Sequence, residues 1–242
     1  MVLNKVLYIT PGFPSDEGDT TCIPALQDFF AEMERRKIGQ EIITLHYPTK
    51  KNYAWKGHLV TALGWNNPGK LRKVALLKNT ISKLKAEYKL KNIDLIHSFW
   101  MTDASYLASK LAEGLGIPHV VTVMGQDVDP TGYFKQIIKL KPAIVTLSSF
   151  QDQLIKKQYD GTQIIPWGIC IEDYKVVPEK TIDIISVGSL INLKRIEQTI
   201  ELTARLKSKY PDIKVSIVGD GPERGRLEEL TKSKQLQGNV EF

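Results

Sequence analysis

Two short glycine-bearing loops, 188–194 and 219–224, carry the clearest chemistry in the sequence. Each follows an apolar, β-branched run, Ile182 to Val187 and Ile213 to Val218, and each leads into a helical stretch. At a helix N-terminus the free backbone N–H groups and the helix dipole favour an anion. Lys194 and Arg195 at the first helix start, and Arg224 at the second, add positive charge there. Residues of these types in this order suit a phosphate-bearing ligand. The elements that must position them are equally legible. Ile196, Ile200, Thr203, Ala204 and Leu206 recur at helical spacing between charged residues, and Pro211 stops that helix before the second run. Strand, crossover helix and parallel strand make a βαβ unit, in which ligands collect at the carboxyl ends of the strands. A dinucleotide fingerprint built on Gly219, Gly221 and Gly225 is disfavoured. Pro222 follows the second glycine, the third glycine comes one residue late, and the turn closes the second strand of its domain. Plain tight turns are the alternative that the residues leave open.

Composition bounds the rest. A chain of 242 residues with 42% hydrophobic content suits one large or two small domains with a buried core. From Lys50 to Lys91 the sequence holds many Lys and Arg against one acid, Glu87, within a net charge of +6. That bias points to an anionic partner. RNA-binding aromatic and glycine patterns are absent, so a lipid surface is favoured over nucleic acid. Residues 1–5 lead straight into a strand without a signal-peptide pattern, and no long uncharged apolar run suits a membrane span. Cys22 and Cys170 lack metal spacing and suggest a reducing compartment, so a cytoplasmic location is expected.

The first half reads as further strands and helices. Lys5 to Thr10 is a strand, broken at Pro11-Gly12, and a small acidic loop bearing Gly18 precedes a helix from Pro24. Glu41 to His46 is the next strand, and residues 47–69 read as one long irregular loop. Residues 71–90 form a helix with Val74, Leu77, Ile81, Leu84 and Tyr88 on one stripe and lysines crowding the remainder. Ile93 to His97 is a strand that places His97 at a carboxyl end, as a cleft residue or as a satisfied structural one. Residues 102–115 are helical, with Asp103 near the start. After the strand Ile117 to Val123, Met124-Gly125-Gln126-Asp127 offers Gly125 and Asp127, the latter as a ligand contact or a turn cap. No Asp-x-Asp pair is read as a divalent-ion site.

Taken in order, these motifs resemble glycosyltransferase family 4, whose GT-B fold pairs two Rossmann-like domains. The family shows Gly-Arg-Leu, three variable residues, Lys-Gly, a helix and a Val-Gly-Asp-Gly-Pro turn. Here Gly188-Ser189-Leu190, Lys194-Arg195 and Val218 to Pro222 take those places, and Asp94-Leu95-Ile96-His97 matches its Asp-x-Ile-His. The departures are Ser189 for Arg, Met124 for the His of His-Gly-x-Asp, Gly18-Asp19 for a Gly-Gly pair, and Trp167 for the Asn of Pro-Asn-Gly-Val-Asp. The resemblance implies an α/β GT-B protein. An acceptor-side domain spans 1–176, a partial nucleotide-sugar domain spans 177–242, and the linker is Tyr174 to Lys180. It implies a retaining transfer of sugar from a UDP- or GDP-linked donor to a lipid-linked or saccharide acceptor, in cell-surface glycan synthesis. No cofactor or metal is implied, since Lys194 and the helix N-termini stabilise the leaving pyrophosphate. Gly188, Ser189, Lys194, Arg195, Gly219 and Gly221 would bind the donor, with Gly12, Gly18 and Gly125 shaping the facing loops. His97 and Asp127 would meet acceptor or donor sugar. The basic stretch Lys70 to Lys91 would dock on the inner face of the membrane. Asn239 to Phe242 opens a third strand where the family's domain continues to a pair of glutamates, so a truncated chain with poor or absent activity is expected. A nucleotide-sugar epimerase and a non-catalytic nucleotide-sugar-binding homologue are the rival readings.

Overall fold

The computed structural model of the chain describes residues 3–19, 24–128, 132–169 and 179–242. Cys22, Cys170, most of the linker Tyr174 to Lys180 and the boundary after residue 176 lie outside the described residues. By its internal contacts the chain divides into two units, Met1–Ile171 and Glu172–Phe242.

The first unit is built on β1 (Lys5–Gly12), β2 (Gly39–Tyr47), β3 (Asn52–Trp55), β4 (His58–Ala62), β5 (Leu95–Phe99), β6 (His119–Thr122), β7 (Ala143–Thr146) and β8 (Thr162–Ile164). The described strands form one eight-stranded sheet in the order β3-β4-β2-β1-β5-β6-β7-β8, parallel except for the β3–β4 hairpin. Helices α1 (Pro24–Arg35), α2 (Lys70–Tyr88), α3 (Asp103–Leu115), α4 (Tyr133–Ile138) and α5 (Ser149–Lys156) complete it. Central β1 is covered on both faces, which is why its run is apolar without alternation. Leu7 and Ile9 pack with Leu77, Leu84, Leu107 and Leu111 of α2 and α3. Val6 and Tyr8 pack with Phe13, Leu26, Phe30 and Trp55 on the other side. Full burial of each such Leu or Phe contributes about 1.5–3 kcal/mol.

The expected irregular loop 47–69 is corrected by the β3–β4 hairpin. Its two-residue turn, Lys56-Gly57, has φ of 44° and 78°, the paired left-handed geometry that matches strand twist. Trp55 anchors it, fully buried with its ring centroid 5.2 Å from that of Phe13. Helix ends follow the expected rules more closely. Gly116 closes α3 in the left-handed region at φ 69°, and Ser148 Oγ accepts from Gln151 N–H at 3.3 Å to start α5.

The second unit has β9 (Ile184–Val187), α6 (Ile196–Lys207), β10 (Val215–Val218), α7 (Arg224–Ser233) and β11 (Val240–Glu241). Its described strands form a three-stranded parallel sheet in the order β11-β10-β9. Ile200, Val215, Ile217, Leu227 and Val240 make its core. The expected opening of a third strand is thus met by β11.

Candidate functional site

In the second unit the two glycine loops leave β9 and β10 side by side and are joined backbone to backbone. Gly188 N–H donates to Val218 O at 2.9 Å, Leu190 N–H to Asp220 O at 2.9 Å, and Glu223 N–H to Leu190 O at 3.0 Å. This closeness is what requires glycine. A Cβ on Gly219 would lie 2.0 Å from Gly188 O, and one on Gly221 would lie 2.5 Å from Leu190 O. Leu190 is fully buried and pins the first loop, while Ser189 beside it is exposed. Residues 192–194 then make a single 3₁₀ turn, and Arg195 takes the N-cap of α6 without a side-chain cap bond. Of the first amides of α6, Glu197 N–H is engaged by its own carboxylate and Gln198 N–H donates to Arg195 O at 2.9 Å.

The cations divide. Arg195 Nε donates to Glu197 at 2.8 Å, and Arg224 Nε to Glu228 at 2.9 Å. Glu197 is held below its usual pKa by its own backbone N–H and then by Arg195, with Arg226 contributing charge. Lys194 is exposed and has no ion pair among the described residues. Of the expected donor cations, one ammonium stays uncommitted.

The first unit's carboxyl edge is arranged differently. Asp127 Oδ1 accepts from Gly125 N–H at 2.7 Å, and Oδ2 accepts from Met101 N–H at 2.9 Å. Met124 N–H lies 3.1 and 3.2 Å from the two oxygens. The carboxylate therefore fastens the loop after β6 to the loop after β5, and its acceptor positions face backbone rather than open space. An Asp-x-Asp spacing does occur here, Asp127-Val128-Asp129. Asp129 lies outside the described residues, and the carboxylate of Asp127 is already filled by amides. Gly12 ends β1 opposite Tyr47. Gly18 N–H donates to Asp16 Oδ1 at 3.0 Å in the loop that follows.

His97 needs correcting. It sits in the middle of β5, not at its end, because the strand runs to Phe99. Its ring stacks on Phe99 at 4.5 Å, lies 5.7 Å from Tyr8 and meets Phe29 edge-on at 5.6 Å. Its Nε2 is 2.8 Å from Thr122 Oγ1. Burial pushes its pKa down to about 3, so the imidazole is neutral near pH 7 and structural in surroundings. Asp94, from the same motif, is structural too: its Oδ2 accepts from Asn4 and Lys5 N–H at 2.8 and 2.9 Å.

One charged cluster had no signal in the sequence. Asp103 opens α3 and is 3% exposed. Lys73 Nζ lies 2.8 Å from its Oδ2, and His46 Nε2 lies 3.2 Å from both oxygens. Asn67 N–H donates to His46 Nδ1 at 3.3 Å, which leaves Nε2 as the protonated nitrogen that donates to Asp103. Burial alone would raise the carboxyl pKa, but the hydrogen bonds and charges of His46 and Lys73 hold it below the usual range. The cluster ties β2, the segment before α2, α2 itself and α3 at one edge. His46 and Asp103 are 57 residues apart, so no local pattern joins them.

A family model described as "Glycosyl transferase 4-like" matches residues 31–165, more than half of the chain. The chain belongs to this glycosyltransferase family. A second model, "Glycosyl transferases group 1", matches residues 172–242. An uncharacterized glycosyltransferase, YqgM of Bacillus subtilis, is 25% identical over 168 residues, covering 63% of this chain and 46% of its own length. The alpha-monoglucosyldiacylglycerol synthase of Acholeplasma laidlawii is 23% identical over 241 residues, covering 82% and 60%. The chain thus spans about half the length of the curated relatives it matches. Among solved structures, sucrose-phosphate synthase from Thermosynechococcus elongatus superposes with a TM-score of 0.73 at 13% identity, over all of this chain and 70% of that one. That likeness is one of fold, and it bears out the α/β, GT-B expectation for this glycosyltransferase.

Proposed function

We propose that this chain carries the acceptor-side domain and part of the donor-binding domain of a retaining glycosyltransferase. The reaction moves a sugar from a UDP- or GDP-linked donor to an acceptor hydroxyl. The observation that carries this reading is the paired loop of the second unit, where glycines bring two strand ends together beside the start of α6 and the ammonium of Lys194, which has no ion pair among the described residues. A departing pyrophosphate gains negative charge as the glycosidic bond breaks. The positive end of the α6 dipole and a lysine already in place stabilise that charge without reorganising. Gly188, Ser189, Gly219 and Gly221 give the phosphates close access to backbone. Arg195, committed to Glu197, is a reserve cation rather than the replacement for Ser189.

The basic helix α2 is read as a membrane-docking surface. Lys70, Arg72 and Lys78 are exposed around Leu71 and Val74, which are 90% and 53% exposed. Val74 was expected on the buried stripe and is instead on this outer face. Each basic residue near an anionic leaflet adds about 1 kcal/mol. The Acholeplasma laidlawii relative is named for a glucosylated diacylglycerol, which suits an acceptor held at a lipid surface. Among the described residues no helix is long and apolar enough to cross a membrane.

Calorimetry with UDP and GDP tests the donor site. One nucleotide should bind, and Lys194→Ala should weaken it roughly tenfold or more, as for a charged hydrogen bond. Binding of neither would sink the reading. Flotation with phosphatidylserine vesicles tests α2: binding should disappear in high salt, and an unchanged result with Lys70, Arg72 and Lys78 all replaced by Ser would remove the docking role.

A further inference from the structure

We infer that Glu197 sets the affinity of the donor site: its carboxylate stands at the start of α6 as an internal anion, keeps Arg195 from the ligand, and must yield to an incoming pyrophosphate. This rests on the donor-site reading above and names the residue of this chain that restrains the site.

Three observations carry it. The first is that the anion-favouring end of α6 is already taken. The N–H of Glu197 is engaged by its own carboxylate, which that bond and then Arg195 hold below the usual pKa range, so the group is ionised near pH 7. A helix start stabilises negative charge within its first turn, and here the chain supplies that charge itself. A phosphate brought beside Lys194, three residues earlier, meets it as a like charge.

The second is that arginines from two elements converge on this one carboxylate. Arg195 Nε donates to Oε1 at 2.8 Å, and Nη2 of Arg226 on α7 lies 3.6 Å from Oε2. A side chain that only capped α6 would need the amide alone. Held between two guanidinium groups and 20% exposed, Glu197 takes the place that a bound anion would take among the cations of this edge. Arg195 keeps φ 52°, where glycine would sit without strain, and the contact its side chain makes there is with Glu197.

The third is a run of contacts that ties Glu197 to the glycine loops. Arg226 Nε also donates to Glu223 Oε2 at 2.6 Å, and Glu223 N–H donates to Leu190 O at 3.0 Å. Leu190 pins the loop 188–194, and its own N–H donates to Asp220 O in the second loop at 2.9 Å. The carboxylate is thus linked through one arginine to the corner where the two loops meet. Lys194, in the first of those loops, has no ion pair among the described residues. The site as built therefore offers a ligand one ammonium, while Arg195 and Arg226 answer to internal carboxylates.

Calorimetry on the 242-residue chain with UDP, GDP and inorganic pyrophosphate reads the effect directly. Glu197→Gln keeps the side chain's size and an oxygen for its own N–H, removes the charge and releases Arg195. It should tighten pyrophosphate, and whichever nucleotide binds, roughly threefold to fivefold, the reach of an exposed charge pair. Glu197→Ala should gain as much, so a folding defect in one variant, read by thermal unfolding, does not decide the result. Glu201→Gln makes the same change in net charge at an exposed position one turn along α6 and should leave affinity unchanged. Unchanged or weaker binding in the Glu197 variants, or an equal gain from Glu201→Gln, overturns the role of Glu197. The two readings fail differently. Wild-type binding without a gain in the Glu197 variants removes only this inference, whereas no binding by the wild type or any variant removes the donor site and this inference with it. Binding that emerges only in the Glu197 variants supports both.

Discussion

The two units end their strands in opposite ways. At the first unit's carboxyl edge, loops are fastened by buried or half-buried carboxylates that reach across strands: Asp127 to Met101, Met124 and Gly125, and Asp103 to His46 and Lys73. At the second unit's edge, loops are fastened by backbone to backbone bonds, made possible by Gly219 and Gly221. A carboxylate staple consumes amides and adds negative charge. A backbone zipper adds none and leaves the exposed Lys194 beside the start of α6.

The largest effect should come from breaking the deepest staple. Asp103→Ala leaves Lys73 and His46 without their partner in a buried site, and removal of one partner of such a pair costs about 3–5 kcal/mol. Urea unfolding of the first unit should report this, with far less change in the signal of the second. Acid probes the same staple with a definite sign. The Asp103 carboxyl is depressed in the folded state, so its stabilising contribution is present above the unfolded value near 4 and is lost as pH falls further. His97 and His119 act earlier. Burial pushes both down to about 3, while the unfolded chain takes up protons below about 6.5. The first unit should therefore begin to lose stability as pH drops through 6.5, before Asp103 protonates. A flat urea midpoint between pH 7.5 and 5 would show that these histidines are not buried as described.

Next comes the zipper. Gly219→Ala drives a Cβ to 2.0 Å from Gly188 O, a contact that only backbone movement relieves, at a cost of about 3 kcal/mol. It should loosen nucleotide binding as well as stability. Gly188→Ala meets nothing within 4 Å and should cost less in the same assays. If the two substitutions behave alike, close approach is not what selects glycine there. Asp127→Asn is the first unit's counterpart. It keeps the shape but turns one acceptor oxygen into a donor facing backbone N–H groups, for about 1–3 kcal/mol. The loss should appear in stability and not in UDP affinity.

What the sequence disclosed follows from how local each feature is. The βαβ unit of the second half and the order of its loops depend on neighbours within a few residues, and both were legible. The β3–β4 hairpin was missed although its signal was local: Lys56-Gly57 between Tyr53, Trp55 and the alternating His58, Val60 and Ala62. Reading the segment as a long loop hid that period of two. His97 was misplaced by a strand boundary set two residues short, which moved a mid-strand side chain to the edge. The Asp103 cluster was invisible, since its members are far apart in sequence and only the sheet order brings β2 beside the start of α3. Loop geometry was readable where backbone joins the loops, and hidden where side chains from distant segments do.

The smallest effect probes the join between the 3₁₀ turn and α6. Arg195 sits at φ 52° and ψ 39°, a left-handed position where the family pattern has glycine and where a side chain costs about 1–2 kcal/mol. Arg195→Gly should therefore stabilise the second unit, by about 1 kcal/mol or less once the greater freedom of glycine in the unfolded chain is counted. It also removes the partner of Glu197, an exposed contact. The comparison sharpens on ligand binding. If the anion is held by amides and Lys194 alone, Arg195→Gly leaves UDP or GDP affinity unchanged while Lys194→Ala abolishes most of it. Equal losses from the two would mean that Arg195 leaves Glu197 for the ligand, and the second unit's edge would then rely on side chains as the first unit's does.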